Sequence, residues 1–87
     1  MSYKEAIITY LSSGALRDLL TFELVVGRSA NSASEADTFM ADIAQLGRRG
    51  VVSWQFEGCD DPLDPYYFDV ELTAYGLLVC GRSLLAG

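Results

Sequence analysis

The stretch that decides the fold runs Leu46-Gly47-Arg48-Arg49-Gly50-Val51-Val52-Ser53-Trp54-Gln55-Phe56-Glu57, then Gly58-Cys59-Asp60-Asp61-Pro62-Leu63-Asp64-Pro65, then Tyr66-Tyr67-Phe68-Asp69-Val70-Glu71-Leu72, and leaves through Thr73-Ala74-Tyr75-Gly76. Val52, Trp54 and Phe56 alternate with more polar neighbours, the period of a half-buried strand. Two prolines and three aspartates between Gly58 and Pro65 mark a turn. Phe68, Val70 and Leu72 alternate with Tyr67, Asp69 and Glu71, which predicts the return strand and a core made of the first three. Trp54, Phe56 and Phe39 are expected in the same core. Thr73 is placed to cap a helix starting at Ala74. A β-hairpin of strands 51–57 and 66–72 is therefore expected, entered from one helix and left into another.

Upstream of the hairpin the periodicity is helical. Ser2-Tyr3-Lys4-Glu5 has the form of a capping box, and Tyr3, Ala6, Ile7, Tyr10 and Leu11 follow at helical spacing, predicting a helix over 3–11. Ser12-Ser13-Gly14 breaks it. Leu16, Leu19, Leu20 and Leu24 then share one helical face, predicting a second helix over 14–26 stopped by Gly27 in the left-handed conformation. Ser32 with Glu35, or Ser34 with Asp37, signals a further helix start. Ala36, Phe39, Met40, Ile43 and Leu46 form the apolar stripe of a helix over 34–49. Arg48 and Arg49 suit its C-terminal dipole, and Gly50 ends it. A last helix over 74–85 presents Ala74, Leu77, Leu78, Gly81, Leu84 and Leu85 on one face.

This order, with two local signatures, resembles a winged helix-turn-helix domain. Leu46-Gly47-Arg48-Arg49-Gly50-Val51-Val52 is similar to the exit of a recognition helix into the first wing strand. Leu72-Thr73-Ala74-Tyr75-Gly76 is similar to the Leu-Thr-x-x-Gly step from the second wing strand into the last helix. Both recur in bacterial regulators of the multiple-antibiotic-resistance and phenolic-acid-regulator types. The resemblance implies an α+β, mainly α, winged-helix fold as a single domain over 1–87: three helices, a two-stranded hairpin wing and a C-terminal helix. It also implies dimerisation through that helix (Leu77, Leu78, Gly81, Leu84, Leu85) and DNA contacts from the third helix and its flanks (Arg28, Thr38, Gln45, Arg48, Arg49).

The charge opposes the DNA part of that implication. Of twelve acids, six (Glu57, Asp60, Asp61, Asp64, Asp69, Glu71) lie between Glu57 and Glu71, where there is no Lys or Arg. The exposed face of the third helix adds Glu35, Asp37 and Asp42. Net charge is −6, where a phosphate-binding surface needs several clustered cations. Small acidic inhibitors encoded by phages and mobile elements, anti-CRISPR proteins among them, resemble this chain in size and charge. The sequence therefore reads as an acidic winged-helix protein that binds the basic surface of another protein, either as a mimic of nucleic-acid charge acting on a nucleic-acid-handling complex or as an adaptor. The expected contact set is Glu57, Asp60, Asp61, Asp64, Asp69, Glu71, Glu35, Asp37 and Asp42, with Tyr66 and Tyr67 as aromatic anchors. A dimeric DNA-binding transcription regulator is the alternative.

Other classes find little in the sequence. There is no histidine, which removes the commonest general base and transition-metal ligand. Asp60, Asp61 and Asp64 fit no defined cation loop and read as a solvated acidic turn. Cys59 and Cys80 read as two reduced thiols, since a disulfide would need the hairpin tip to meet the last helix. Neither an enzyme nor a cofactor is expected. The start, Met1-Ser2-Tyr3-Lys4, lacks a signal pattern, and the longest apolar run, broken by Gly76, Gly81 and Arg82, is too short to span a bilayer. A cytoplasmic protein with no membrane association is expected.

Overall fold

The computed structural model describes residues 2–12 and 16–79. The chain runs α1 (Lys4–Tyr10), β1 (Arg17–Thr21), α2 (Phe22–Val26), α3 (Ala33–Arg48), β2 (Val52–Ser53), β3 (Phe56–Gly58) and β4 (Tyr66–Leu72), followed by a helical segment at 74–79. It is an α+β fold built on an antiparallel sheet. β4 is the central strand, with β1 on one side and β2 and β3 in succession on the other. Among the described residues no helix is long and apolar enough to cross a membrane. Position 14, Cys80 and the outer half of the expected last helix, with Gly81, Leu84 and Leu85, lie outside the described residues.

The expected helix over 14–26 is the main correction. Arg17–Thr21 is a strand, paired with β4 from Arg17 opposite Val70 to Thr21 opposite Tyr66. Only Leu20 of the four leucines is buried; Leu16, Leu19 and Leu24 are exposed. The segment pairs a side of β4 whose backbone groups would otherwise lack partners, and that tertiary gain overrides the helical spacing of leucines. Thr21, in extended conformation, then caps α2 by accepting a hydrogen bond from the Leu24 N–H at 3.2 Å. Gly27 ends α2 at φ 91°, as expected.

α3 forms as the stripe predicts, with Ala36, Phe39, Ile43 and Leu46 buried. Of the two capping signals, Ser32 is the one used: its hydroxyl accepts from the Glu35 N–H at 3.3 Å. At the other end, the Val51 N–H donates to the Leu46 carbonyl and the Gly50 N–H to the Gly47 carbonyl, both at 3.0 Å. With Gly50 at φ 74° this is a Schellman stop, and it aims the chain directly into the hairpin. The capping box expected at α1 does not form, because Tyr3 occupies the cap position and makes no capping bond. The Tyr3 N–H donates instead to Asp42 of α3 at 2.7 Å. Tyr3, Phe22 and Phe39 meet edge to face, with centroids 5.2 to 6.0 Å apart, and tie α1, α2 and α3 into one aromatic core.

The hairpin holds one register throughout, Val52 opposite Leu72 and Phe56 opposite Phe68. Its side chains nevertheless change phase. Asp69 adopts φ 55°, a left-handed conformation that aspartate tolerates better than most residues. Alternation skips a beat there, so Tyr67, Val70 and Leu72 point inward and Phe68 points out. The first strand is likewise interrupted at Trp54 and Gln55, where the Gln55 N–H donates to the Phe68 carbonyl at 3.0 Å. Phe56 and Phe68, expected in the core, are therefore exposed, while Trp54 packs against it beside Tyr67, 5.4 Å between centroids.

The base of the hairpin is locked to the last helical segment. The Thr73 hydroxyl donates to the Gly50 carbonyl and accepts from the Gly76 N–H at 2.9 Å, and the Thr73 N–H donates to the Val51 carbonyl at 3.0 Å. Gly76 lies so close to the Val51 carbonyl that a Cβ there would overlap it. Thr73 and Gly76 of the Leu-Thr-x-x-Gly signature thus each have a physical task.

Candidate partner-binding surface

The acids expected to act together divide into two groups. On α3, Glu35 is committed to the fold. Its carboxylate accepts from both Arg28 guanidinium nitrogens at 3.1 and 2.7 Å, from the Asn31 N–H at 2.8 Å and from the Tyr3 hydroxyl at 3.1 Å. The Arg28 hydrogen bonds are the main reason that its pKa falls to about 2. The same contact raises Arg28, and burial together with Glu35 raises the Tyr3 phenol. Asp42 is engaged by the Tyr3 N–H. Of the acids proposed on this helix only Asp37 stands exposed.

The hairpin acids face solvent. Glu57, Asp60, Asp61, Asp64 and Glu71 are exposed, and Asp69 is half-buried. Asp61 partly builds its own loop: Oδ1 accepts from the Leu63 N–H at 3.0 Å, and its carbonyl accepts from the Asp64 N–H at 2.8 Å and from the Cys59 thiol at 3.3 Å. Asp60 accepts from the Tyr66 hydroxyl at 3.2 Å, and its negative charge raises that phenol above its ordinary pKa. No Lys or Arg occurs from Gly50 to Val79. The one ion pair among the described residues is Arg28–Glu35, so none of the hairpin carboxylates is neutralised there. Among the described residues no three Cys, Asp or Glu side chains converge as metal ligands.

Tyr67 is corrected as an anchor. It is 4% exposed, and burial, with Glu57 and Cys59 adding to it, pushes its phenol up to about 12. Tyr66 is half-buried, and its ring lies 5.4 Å from that of Phe68 on the outer side of the sheet. The residues proposed for DNA contact do not gather into a cationic surface. Arg28 is tied to Glu35. Thr38 is half-buried and donates to the Ser34 carbonyl at 3.0 Å. Gln45 is half-buried, and only Arg48 and Arg49 are exposed together, at the end of α3. Arg17 lies over the Tyr10 ring, 5.0 Å from its centroid. An open groove of about 500 Å³ is lined by Arg48, Trp54 and Glu57 among others. Leu77 and Leu78, proposed for dimerisation, are exposed.

Sequence reasoning missed a row of apolar side chains. Leu19, Phe68 and Phe56 are register partners across β1, β4 and β3, and all three face solvent, at 37%, 40% and 67%. A signal for them exists in Tyr66-Tyr67-Phe68. Three consecutive aromatics in a strand cannot all point inward, so at least one large ring had to emerge on the outer face.

No protein-family model matches the chain, and neither the curated proteins nor the solved structures compared with it provide a match.

Proposed function

We propose that this chain is an acidic protein of winged-helix type that works by binding a basic surface of another protein. The single observation that carries this reading is the split in its charge. Half of the acids sit on one hairpin with no cation among them, while Arg28 and Arg17 are occupied within the fold. A duplex backbone would meet Arg48 and Arg49 on one side and six carboxylates on the other, too little positive charge to offset the repulsion. Basic protein surfaces meet the opposite balance and are steered toward the hairpin.

The winged-helix reading draws support from the order helix, strand, helix, helix, hairpin, with the first strand paired to the returning hairpin strand. The Schellman exit at Gly50 and the Thr73–Gly76 lock fall at the two signatures that carry the resemblance. A fold of this kind, with its hairpin turned acidic, acts as a charge mimic or as a docking module.

The test is the salt dependence of binding to a cationic probe, decalysine, for the wild type and for Asp60→Asn/Asp61→Asn/Asp64→Asn. The expected result is weaker binding by the triple variant and a shallower slope of log affinity against log salt. Equal affinity and equal slope would remove the hairpin from the binding surface.

A further inference from the structure

We infer that the outer face of the sheet is the docking site for a basic amphipathic helix of the partner, whose apolar stripe seats on the Leu19–Phe68–Phe56 row. This rests on the protein-binding reading above and names the kind of segment recognised.

Three observations converge. The row crosses three hydrogen-bonded strands, so it is held by the sheet rather than by loose loops. Two strand spacings make it about 10 Å wide, the diameter of one α-helix. Its chemistry is apolar in the middle and acidic to either side along β4, while the nearby cation on β1, Arg17, lies over the Tyr10 ring. Tyr66, two residues before Phe68, leads toward the Asp60 carboxylate that its hydroxyl contacts. On the far side Glu71, exposed between the buried Val70 and Leu72, shares the outer face, with Asp69 beside Phe68.

Solvent-facing Phe and Leu in one contiguous row on a small domain mark a contact surface. The rim decides what kind. DNA and an anionic membrane carry the same sign as the rim. A second copy of the chain, also at −6, brings like charge. A helix with Leu or Ile at i, i+3, i+4 and i+7, flanked by Lys or Arg, answers both parts. Its stripe covers the phenylalanines, and the long cationic side chains reach over to the carboxylates. An extended strand fits less well, since residues flanking its apolar set point away from the sheet.

The experiment uses two synthetic peptides of identical Lys and Leu composition. One has its leucines at helical spacing, and the other is scrambled to abolish the stripe. Each is titrated into isotope-labelled protein and followed by amide NMR shifts. The patterned peptide is expected to bind at least about tenfold more tightly than the scrambled one, shifting amides of 17–21, 56–58 and 66–68. Phe56→Ser and, separately, Leu19→Ser, both exposed and so compatible with an unchanged fold, are expected to erase that preference. Equal binding of the two peptides would overturn the inference while leaving a purely electrostatic protein-binding role standing. Binding of neither would overturn both. A wild-type dimer that Phe56→Ser dissociates would overturn the inference by assigning the face to self-association.

Discussion

The α1–α3 junction and the hairpin carry the same kind of residue and use it in opposite ways. At the junction, Glu35 collects four hydrogen bonds and Asp42 receives the Tyr3 amide at the cap of α1, so two carboxylates become fold determinants. On the hairpin, the carboxylates meet only the Leu63 amide and the Tyr66 hydroxyl among the described residues, and no cation. Acid count alone therefore says little about an acidic surface. What matters is whether a donor from another element reaches each carboxylate. Where a cation and several donors do, as at Glu35, the charge serves stability; where no cation does, as on the hairpin, it faces solvent without neutralisation.

Substitutions can break or sharpen this contrast, and the largest effect is expected beside the junction. Phe39→Ala removes one of the three mutually packed rings Tyr3, Phe22 and Phe39 that join α1, α2 and α3. It should cost about 3–5 kcal/mol in urea unfolding, with loss of the ordered Tyr3 contacts. Gly76→Ala pushes a methyl into the Val51 carbonyl and should cost about 1–3 kcal/mol, loosening the hairpin base while the junction persists. Hydrogen exchange at 51–56 measured against that at 36–46 separates the two regions.

Glu35→Gln comes next and is best read through pH. The carboxyl moves from 4.5 in the unfolded chain to about 2 in the fold. A depressed folded pKa contributes stability that is fully present above about 4.5 and lost as pH falls toward 2. The wild type should therefore lose more of its stability between pH 5 and 2 than Glu35→Gln does, with the two Tm curves converging at the acid end. Parallel curves would mean that the Arg28–Glu35 contact does not form in solution. The smallest stability effect belongs to Asp60→Asn/Asp64→Asn, where exposed carboxylates become neutral amides. Their Tm should stay close to wild type, while affinity for a cationic peptide falls.

The same contrast explains what the sequence made legible. α1 and α3 were readable because their burial repeats at a single helical period, and α3 and β4 because their ends carry local signals: Ser32, Gly50 and the Pro65-Tyr66 boundary. The segment 14–26 was misread because its leucines satisfy a helical period that the fold does not use. The pull on Arg17–Thr21 comes from β4, some fifty residues away. Thr21, a cap in the middle of the expected helix, was the local hint. Phe68 and Tyr67 exchanged faces because of one left-handed residue, Asp69, which no alternation count anticipates. The acidic hairpin was evident from composition. That Glu35, Asp42 and Arg28 are occupied was not, because their partners lie across α1 and the α2–α3 loop. The Leu19–Phe68–Phe56 row stayed hidden for a related reason: it exists only once three distant segments share a register.

The most direct measurement is a titration of the labelled protein with random-sequence duplex DNA at about 50 mM salt, where backbone attraction is strongest. The free acidic hairpin predicts no saturable shifts at micromolar DNA, while decalysine under the same conditions shifts amides between 57 and 71. Micromolar DNA binding that weakens steeply with salt and maps to Gln45, Arg48 and Arg49 would contradict the account. It would assign the chain to DNA recognition instead.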